Sequence, residues 1–145
     1  GIFCHFDETT SKLNILDMGH SYIMLIRNKK IHKIQTSTQN LPVGITDEVE
    51  PQASSLTMER NDILILITDG LAEQVNASGE EYSLERLYKI VIDNEERSLE
   101  EIREYILSDF HDFKKDIPFH DDVTFLLLRY PEEEEFEEDV EWEES

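Results

Sequence analysis

The sequence contains a single cysteine, Cys4, among its 145 residues, so an internal disulfide is excluded. This scarcity is typical of a reducing compartment, and we expect a cytoplasmic location. Cys4 itself is expected to be a small buried side chain rather than a nucleophile. The sequence also lacks any apolar run near the ~18 residues that cross a bilayer, and a basic-then-apolar leader. We therefore expect no membrane partner for this segment.

Basic residues are scarce, and this restricts the partners of the chain. There are 13 lysines and arginines against 34 aspartates and glutamates, which gives a formal net charge of −21. An acidic surface repels the phosphates of nucleic acids and anionic lipid headgroups, so we expect neither as a partner. A reaction on a phosphate group would need a bound cation to offset the negative electrostatic potential of such a chain.

The acidity is concentrated at the end of the sequence, where Pro131–Ser145 holds ten acidic residues and no basic one. Such low-complexity sequence buries too little apolar surface to offset the entropy of ordering its backbone. We therefore expect a folded domain over residues 1–130 and a disordered acidic tail over 131–145. Phe136, Val140 and Trp142 leave room for the tail to dock on a partner.

Short strand-like segments fill the first part of the sequence. They are separated by polar turns, and no helix-length pattern interrupts them. Short strands joined by short turns predict an antiparallel meander. The expected strands are Gly1–Phe6, Lys12–Met18, Tyr22–Arg27, Ile31–Gln35 and a short edge strand at Leu56–Met58.

Two helices are predicted later in the chain by apolar residues at helical spacing. Ser83 is the expected N-cap of the first, and Ser98 with Glu101 predicts a capping box at the start of the second. We expect both apolar stripes to face the core. The stripes comprise Leu84, Leu87, Tyr88 and Val91, then Leu99, Ile102, Tyr105, Ile106, Phe110 and Phe113.

The chain is organised around the apolar run Ile63–Ile67. Because the run is too short for an ordinary helix and rich in β-branched residues, it predicts a strand covered on both faces at the centre of a sheet. Thr68, Asp69 and Gly70 end the run abruptly. A carboxylate is thus placed at the tip of the strand, beside a glycine that can turn the chain or let a ligand approach the backbone.

A second buried-type strand, Val123–Tyr130, begins directly after His120, Asp121 and Asp122. If the two strands are antiparallel neighbours, Asp69 meets Asp121 or Asp122 at one edge. Carboxylates this close raise one another's pKa, and a hard divalent cation removes the penalty. Oxygen ligands without cysteine or clustered histidine favour Mg²⁺ or Mn²⁺. The alternative is an ordinary strand-ending turn and a polar strand entry.

Five segments of the sequence resemble one enzyme family in their order and spacing. The family is the bacterial PPM-type serine/threonine phosphatases of the stage II sporulation E and RsbU kind, which are distantly similar to protein phosphatase 2C. The resemblance runs from about Ile2 to Tyr130. The segments are Asp17–His20, Leu41–Ile45, Ile67–Glu73, Asn76–Glu80 and His120–Thr124.

The resemblance implies an α+β fold, the α-β-β-α sandwich of the PPM phosphatases, with a dinuclear Mn²⁺ or Mg²⁺ centre at one end of two sheets. It also implies that a metal-activated water hydrolyses phosphoserine or phosphothreonine without a covalent phosphoenzyme. Metal ligands of the family match Asp69 and Asp121, which are therefore the expected catalytic and metal-binding residues.

The resemblance gives supporting roles to five further residues. Asp122 is expected to orient the ligands rather than to bind metal. Glu73 resembles an acid that contacts metal-bound water or a weaker third metal, with an exposed glutamate at a helix start as the alternative. His20 stands where more distant relatives have an acid, and we expect it to shape a turn rather than to bind metal. Gly19 and Gly70 are expected to supply backbone geometry.

Part of the family pattern has no match in the sequence. Family members carry, upstream of these strands, a further metal-bridging Asp followed by Gly and a GHG-like segment, whereas this sequence opens at Gly1. We therefore expect a piece of a longer chain that holds only the C-terminal part of the domain. We expect such an incomplete sandwich to expose apolar sheet and to be a poor phosphatase alone, or the missing half to come from another chain or to have been lost.

Two functions are compatible with these patterns. The first is hydrolysis of phosphoserine or phosphothreonine on a regulatory protein in bacterial signalling. The second is a non-catalytic, phosphatase-like scaffold that binds a partner through its exposed half-sheet or its acidic tail. In both, a homodimer or pairing with the missing N-terminal half would cover the apolar sheet. A weaker third hypothesis, a cation-buffering acidic protein, predicts metal binding that depends on Pro131–Ser145.

Overall fold

The structure, a computed structural model, describes residues 1–19, 22–36, 40, 42, 44–45 and 50–131. His20 and residues 132–145 of the acidic tail lie outside these ranges, so the predictions made for them stay predictions. The strands are β1 (Ile2–Asp7), β2 (Lys12–Asp17), β3 (Tyr22–Arg27), β4 (Lys30–Lys33), β5 (Ser54–Thr57), β6 (Ile63–Ile67) and β7 (Phe125–Arg129), and the helices are α1 (Asp69–Ala72), α2 (Leu84–Asp93) and α3 (Leu99–Lys114).

Strand β6 is an inner strand of the larger sheet, whose order is β4-β3-β6-β7. It pairs antiparallel with β3 on one side and with β7 on the other. All its residues are buried, and they alternate between two apolar layers. Ile63, Ile65 and Ile67 face the helices, whereas Leu64 and Leu66 face the smaller sheet. The prediction of a central strand covered on both faces is therefore confirmed.

The smaller sheet has the order β1-β2-β5 and packs on the larger sheet. β1 with β2 and β3 with β4 form antiparallel hairpins, as the sequence predicts. The two hairpins lie in different sheets, however, because β2 pairs with β5 and β3 pairs with β6. The prediction of one continuous meander is thus wrong at the β2–β3 connection. Crossing between sheets lets the apolar faces of β2 and β3 pack against each other and exclude water.

One layer of helices covers the outer face of the larger sheet. The predicted capping box at the start of α3 is confirmed, since the Ser98 hydroxyl accepts from the Glu101 N–H at 3.1 Å and the Glu101 carboxylate accepts from the Ser98 N–H at 3.1 Å. Ser83 is the N-cap of α2, but its side chain makes no capping hydrogen bond. Two sheets with helices on one of the described outer faces confirm the predicted α+β class. Every helix among the described residues is too short or too polar to cross a lipid bilayer.

Three local predictions differ from the structure. Cys4 is exposed rather than buried, because it lies opposite Ile15 on the edge strand β1, beyond which no further strand is described. Tyr105, assigned to the core stripe of α3, is 44% exposed at the margin of that stripe. The turn expected after the central strand is the short helix α1, which begins at Asp69 itself.

A polar cluster joins α3 to the segment before α2. The Tyr82 hydroxyl donates to the Asp109 carboxylate at 2.8 Å, and Arg86 donates to both oxygens of Asp109 at 2.7 and 2.8 Å. The hydrogen bonds from Arg86, followed by that from Tyr82, hold the pKa of Asp109 below its ordinary value. Burial, followed by the bond to Asp109, raises the pKa of Tyr82, so Tyr82 stays a neutral donor.

This cluster predicts a pH-dependent contribution to stability. Because the folded state lowers the pKa of Asp109, its stabilisation is present above the unfolded value of about 3.9 and is lost as the pH falls through the folded pKa. We expect Asp109→Asn to lower the free energy of unfolding by about 1 kcal/mol at neutral pH, a modest figure because Arg86 is partly solvated. The difference from wild type should shrink below pH ~4.

Urea unfolding at neutral and acidic pH measures this difference. Asp112→Asn is the matched control, since Asp112 is an exposed acid on the same helix. A difference between wild type and Asp109→Asn that stays constant or grows as the pH falls would contradict the assignment.

Candidate functional site

The candidate site forms where β6 ends and β7 begins. The two strands pair antiparallel, with Ile67 opposite Phe125 as the last pair of the ladder. One step further, the Thr68 N–H donates to the Thr124 carbonyl at 3.0 Å. Asp69 therefore follows β6 at the same rim where Asp121 and Asp122 precede β7. The antiparallel pairing expected from the sequence is confirmed, and it brings the two acidic segments together.

The Thr68 hydroxyl fastens the second acidic segment to the end of β6. As a donor, it lies 3.1 Å from the carbonyl oxygen of Asp122 and 3.3 Å from that of Thr124. As an acceptor, it lies 2.9 Å from the Thr124 N–H nitrogen. Sequence reasoning did not assign this role to Thr68. A threonine at a strand end is common, and its partners lie more than 50 residues away in the chain, so no local pattern indicates the contact.

Gly70 allows the two segments to approach closely. A Cβ atom built on Gly70 would lie 2.5 Å from the carbonyl oxygen of Asp122 and 3.3 Å from the carbonyl carbon of Asp121. Backbone atoms cannot move aside as a flexible side chain can, so any larger residue would push the Asp121–Asp122 turn away from α1. Glycine is needed here because there is no space for a Cβ atom. It is not needed for its backbone conformation, since Gly70 does not have a positive φ.

The acids at this rim are exposed, and no described cationic side chain pairs with them. The Asp69 carboxylate accepts from the Gly70 N–H at 3.1 Å, and that of Asp121 from the Asp122 N–H at 2.7 Å. Glu73 lies one turn beyond Asp69, and its N–H donates to the Asp69 carbonyl at 3.0 Å. Within the described ranges, none of these four acids forms an ion pair with lysine, arginine or histidine.

The other end of β6 provides an internal comparison. Asp62, directly before the strand, is 1% exposed and accepts from Arg27 at 2.8 and 2.6 Å and from the Glu59 N–H at 2.7 Å. Its charge is neutralised inside the fold, as burial of a carboxylate requires. Asp69, at the opposite end of the same strand, is left with its charge uncompensated by any described cation. Of these two aspartates, only Asp62 has a partner of opposite charge among the described residues.

The remaining predicted positions lie partly outside the described residues. His20 is one of these, so its place relative to the acids stays a prediction. Gly19 has φ +75°, and a Cβ atom there would lie 2.7 Å from Cγ of Pro42. Gly19 and Pro42 belong to two of the five family-like segments, and these two segments are therefore in contact at this point.

The donor set fits part of a site for a hard divalent cation. Asp69 and Asp121 offer only carboxylate oxygens, which suit Mg²⁺ or Mn²⁺. Across the described residues there is no group of three or more histidine, cysteine, aspartate or glutamate side chains placed to hold an ion. An octahedral cation takes about six ligands, so these acids alone make an incomplete site.

Comparison with solved structures supports the fold. The PP2C domain of SiaA from Pseudomonas aeruginosa aligns with a TM-score of 0.71 at 17% identity, over 86% of this chain and 48% of that one. The Mn-presoaked phosphatase domain of SpoIIE from Bacillus subtilis aligns with a TM-score of 0.66 at 16% identity, over 92% of this chain and 57% of that one. The RsbU and RsbW domains of a Mycobacterium tuberculosis protein align with a TM-score of 0.70 at 18% identity, over 90% of this chain and 35% of that one. At these identities the likeness is one of fold.

The chain thus spans about half, or less, of the length of these structures. A stage II sporulation protein E from Priestia megaterium is 36% identical over 67 residues, which are 46% of this chain and 11% of that protein. The sequence model of the family described as stage II sporulation protein E matches residues 1–131. Because that match covers both strand ends and all the described helices and sheets, this chain belongs to the stage II sporulation protein E family.

Proposed function

We propose that this chain forms part of a metal-dependent phosphatase that acts on phosphoserine or phosphothreonine. The observation that carries the proposal is the meeting of Asp69 with the Asp121–Asp122 turn at one sheet rim, without a described cationic partner. Family membership supports it, since the SpoIIE structure from Bacillus subtilis is that of a phosphatase domain. The crystals of that domain were presoaked with manganese, which supports the choice of metal.

Asp69 and Asp121 are the residues that would hold Mn²⁺ or Mg²⁺, in a centre that is dinuclear when the domain is complete. When bound, such ions lower the pKa of water and neutralise phosphate oxygens. Asp122 and Glu73 orient ligands and water around the two binding acids. Thr68 and Gly70 keep the acids together, because their contacts fix the Asp122 backbone against the end of β6.

The charge of the chain makes the cation necessary for this chemistry. A net charge of −21 repels a phosphorylated substrate, and the exposed acids at the rim add to this repulsion. Bound divalent ions reverse the local sign and provide the attraction for a phosphoryl group. The proposed substrate is therefore a phosphorylated regulatory protein, recognised at the rim only when the metal is bound.

Substitution of the acids tests the assignment in the full natural protein that contains residues 1–145. We expect Asp69→Asn and Asp121→Asn each to lower Mn²⁺-dependent kcat/KM on a phosphoserine peptide at least about a hundredfold, because a ligand supports several kcal/mol of charge stabilisation. Asp122→Asn should cost about tenfold. Asp116→Asn, an exposed acid in the loop before the site, should leave activity unchanged. Unchanged activity in both Asp69→Asn and Asp121→Asn would remove the assignment.

A non-catalytic scaffold is the second candidate. It is favoured by the incomplete set of metal-binding side chains among the described residues and by the exposed apolar residues of β1 and β7. Absence of hydrolysis by the full natural protein, with Mn²⁺ bound or not, would support the scaffold over the enzyme.

The open side lies between β7 and β1. Leu126 and Leu128 of β7 are opposite Leu66 and Leu64, so they share the face toward the smaller sheet, yet they are 49% and 42% exposed. Phe6 of β1 is opposite Leu13 and is 37% exposed. These three residues are defined here as the open apolar side, and two of them, Phe6 and Leu128, line a groove of about 290 Å³. We propose that it is covered by further residues of the same domain, or by a second copy when they are absent.

Residues 1–145 alone should therefore self-associate. Burying exposed leucines stabilises an assembly by ~25 cal/mol per Å² of apolar surface removed from water. In sedimentation velocity over a concentration series, we expect dimers or larger species, and the Leu126→Glu, Leu128→Glu double variant should be monomeric. Ile31→Glu is the control, since Ile31 is 40% exposed on β4, away from this side. A wild-type chain that stays monomeric would contradict the pairing.

A further inference from the structure

Gln74 is a buried polar residue close to the acidic rim. It lies two residues beyond the end of α1 and is 0% exposed. Its backbone carbonyl accepts from the Tyr82 N–H at 2.8 Å, which fixes the main chain at this point. Its side chain points to the loop between α3 and β7, where it meets the carbonyl of Pro118.

The side-chain amide of Gln74 uses both of its groups. Nε2 donates to the carbonyls of Val75 and Pro118, each at 3.1 Å, and Oε1 accepts from the His120 N–H at 3.4 Å. The orientation of the amide follows from these partners, because the reversed amide would set oxygen against two carbonyls and nitrogen against an N–H. A side chain of the same length without the amide would leave three partly buried backbone groups without this partner.

The loop held by Gln74 leads directly into the acidic turn. Its earlier part rests on α3, since Lys114 donates to the Ile117 carbonyl at 2.9 Å and Phe119 stacks on Phe110 at 6.2 Å. At His120 the described hydrogen bond is the one to Gln74. The next two residues are Asp121 and Asp122, whose own carboxylates reach no described residue outside the turn.

The turn is thus anchored at both ends. Thr68 binds the Asp122 carbonyl on the side of β7, and Gln74 binds Pro118 and His120 on the side of α3. Both anchors belong to the chain segment that carries Asp69. The segment from Thr68 to Gln74 therefore forms hydrogen bonds with the chain on both sides of the Asp121–Asp122 turn.

We propose that Gln74 is a positioning residue that sets the place of Asp121 relative to Asp69, an inference that rests on the proposed function of these acids. It touches neither substrate nor metal. It acts through the backbone of Pro118 and His120, so its loss loosens one side of the turn while the Thr68 anchor stays. A general contribution to the core would instead weaken the whole fold.

Hydrogen–deuterium exchange on the full natural protein that contains residues 1–145 separates these two roles. We expect Gln74→Leu to speed exchange in a peptide covering residues 119–122 by about tenfold or more, with β6 unchanged, since a local opening exposes only local amides. Gln74→Met should have the same local effect, because methionine keeps the length of the side chain and removes the amide. Val91→Ala, a cavity in the core of α2, is the control for general destabilisation.

Binding of Mn²⁺ alone is the second readout. Residues that orient metal ligands through hydrogen bonds typically change metal affinity by about 10–100-fold. We expect Gln74→Leu to raise the dissociation constant for Mn²⁺ about tenfold, and Val91→Ala to leave it unchanged. If Gln74→Leu does not fold, the same two measurements on Gln74→Met decide the question, and we expect faster exchange confined to residues 119–122.

Two results would overturn the proposal. One is exchange at residues 119–122 that is unchanged, or that rises equally with β6. The other is Mn²⁺ affinity that falls no more in the Gln74 variants than in Val91→Ala. Failure of the proposed function is recognised separately, because Asp69→Asn and Asp121→Asn would then leave both hydrolysis and Mn²⁺ binding intact.

Discussion

The register between β6 and β7 is the constraint on which the acidic rim depends. Side chains alternate along a strand, so a shift of one residue would move the apolar residues of β7 to the wrong face and carry Asp122 away from Gly70. The burial of β6 on both faces opposes such a shift, since each buried aliphatic side chain contributes about 1.5–3 kcal/mol. The hydrophobic core thereby fixes the place of residues that are themselves exposed.

Much of this arrangement could be predicted from the sequence, because it follows from local patterns. The run Ile63–Ile67 indicates a central strand, and the capping box at Ser98 indicates the start of α3. The β2–β3 crossing could not be predicted, since a short polar connection is compatible with a hairpin and with a change of sheet. Thr68 and Gln74 were missed for a related reason: their partners are distant in sequence, and neither residue type is unusual at its position.

The two aspartates that flank β6 show how charge is distributed in this fold. Asp62 is buried and bound by Arg27, so its role is accounted for by the structure. Asp69 is exposed at the rim that also carries Asp121 and Asp122, and among the described residues it forms no ion pair. The same strand thus carries a structural acid at one end and a candidate ligand at the other.

The open apolar side also bears on how this polypeptide behaves before it is covered. Both β1 and β7 are edge strands of the described sheets, and unpaired strand edges beside exposed leucines recruit other chains into intermolecular ladders. During synthesis, these edges must be paired or covered early, or a chaperone must shield them. Otherwise, aggregation competes with folding and lowers the yield of native protein.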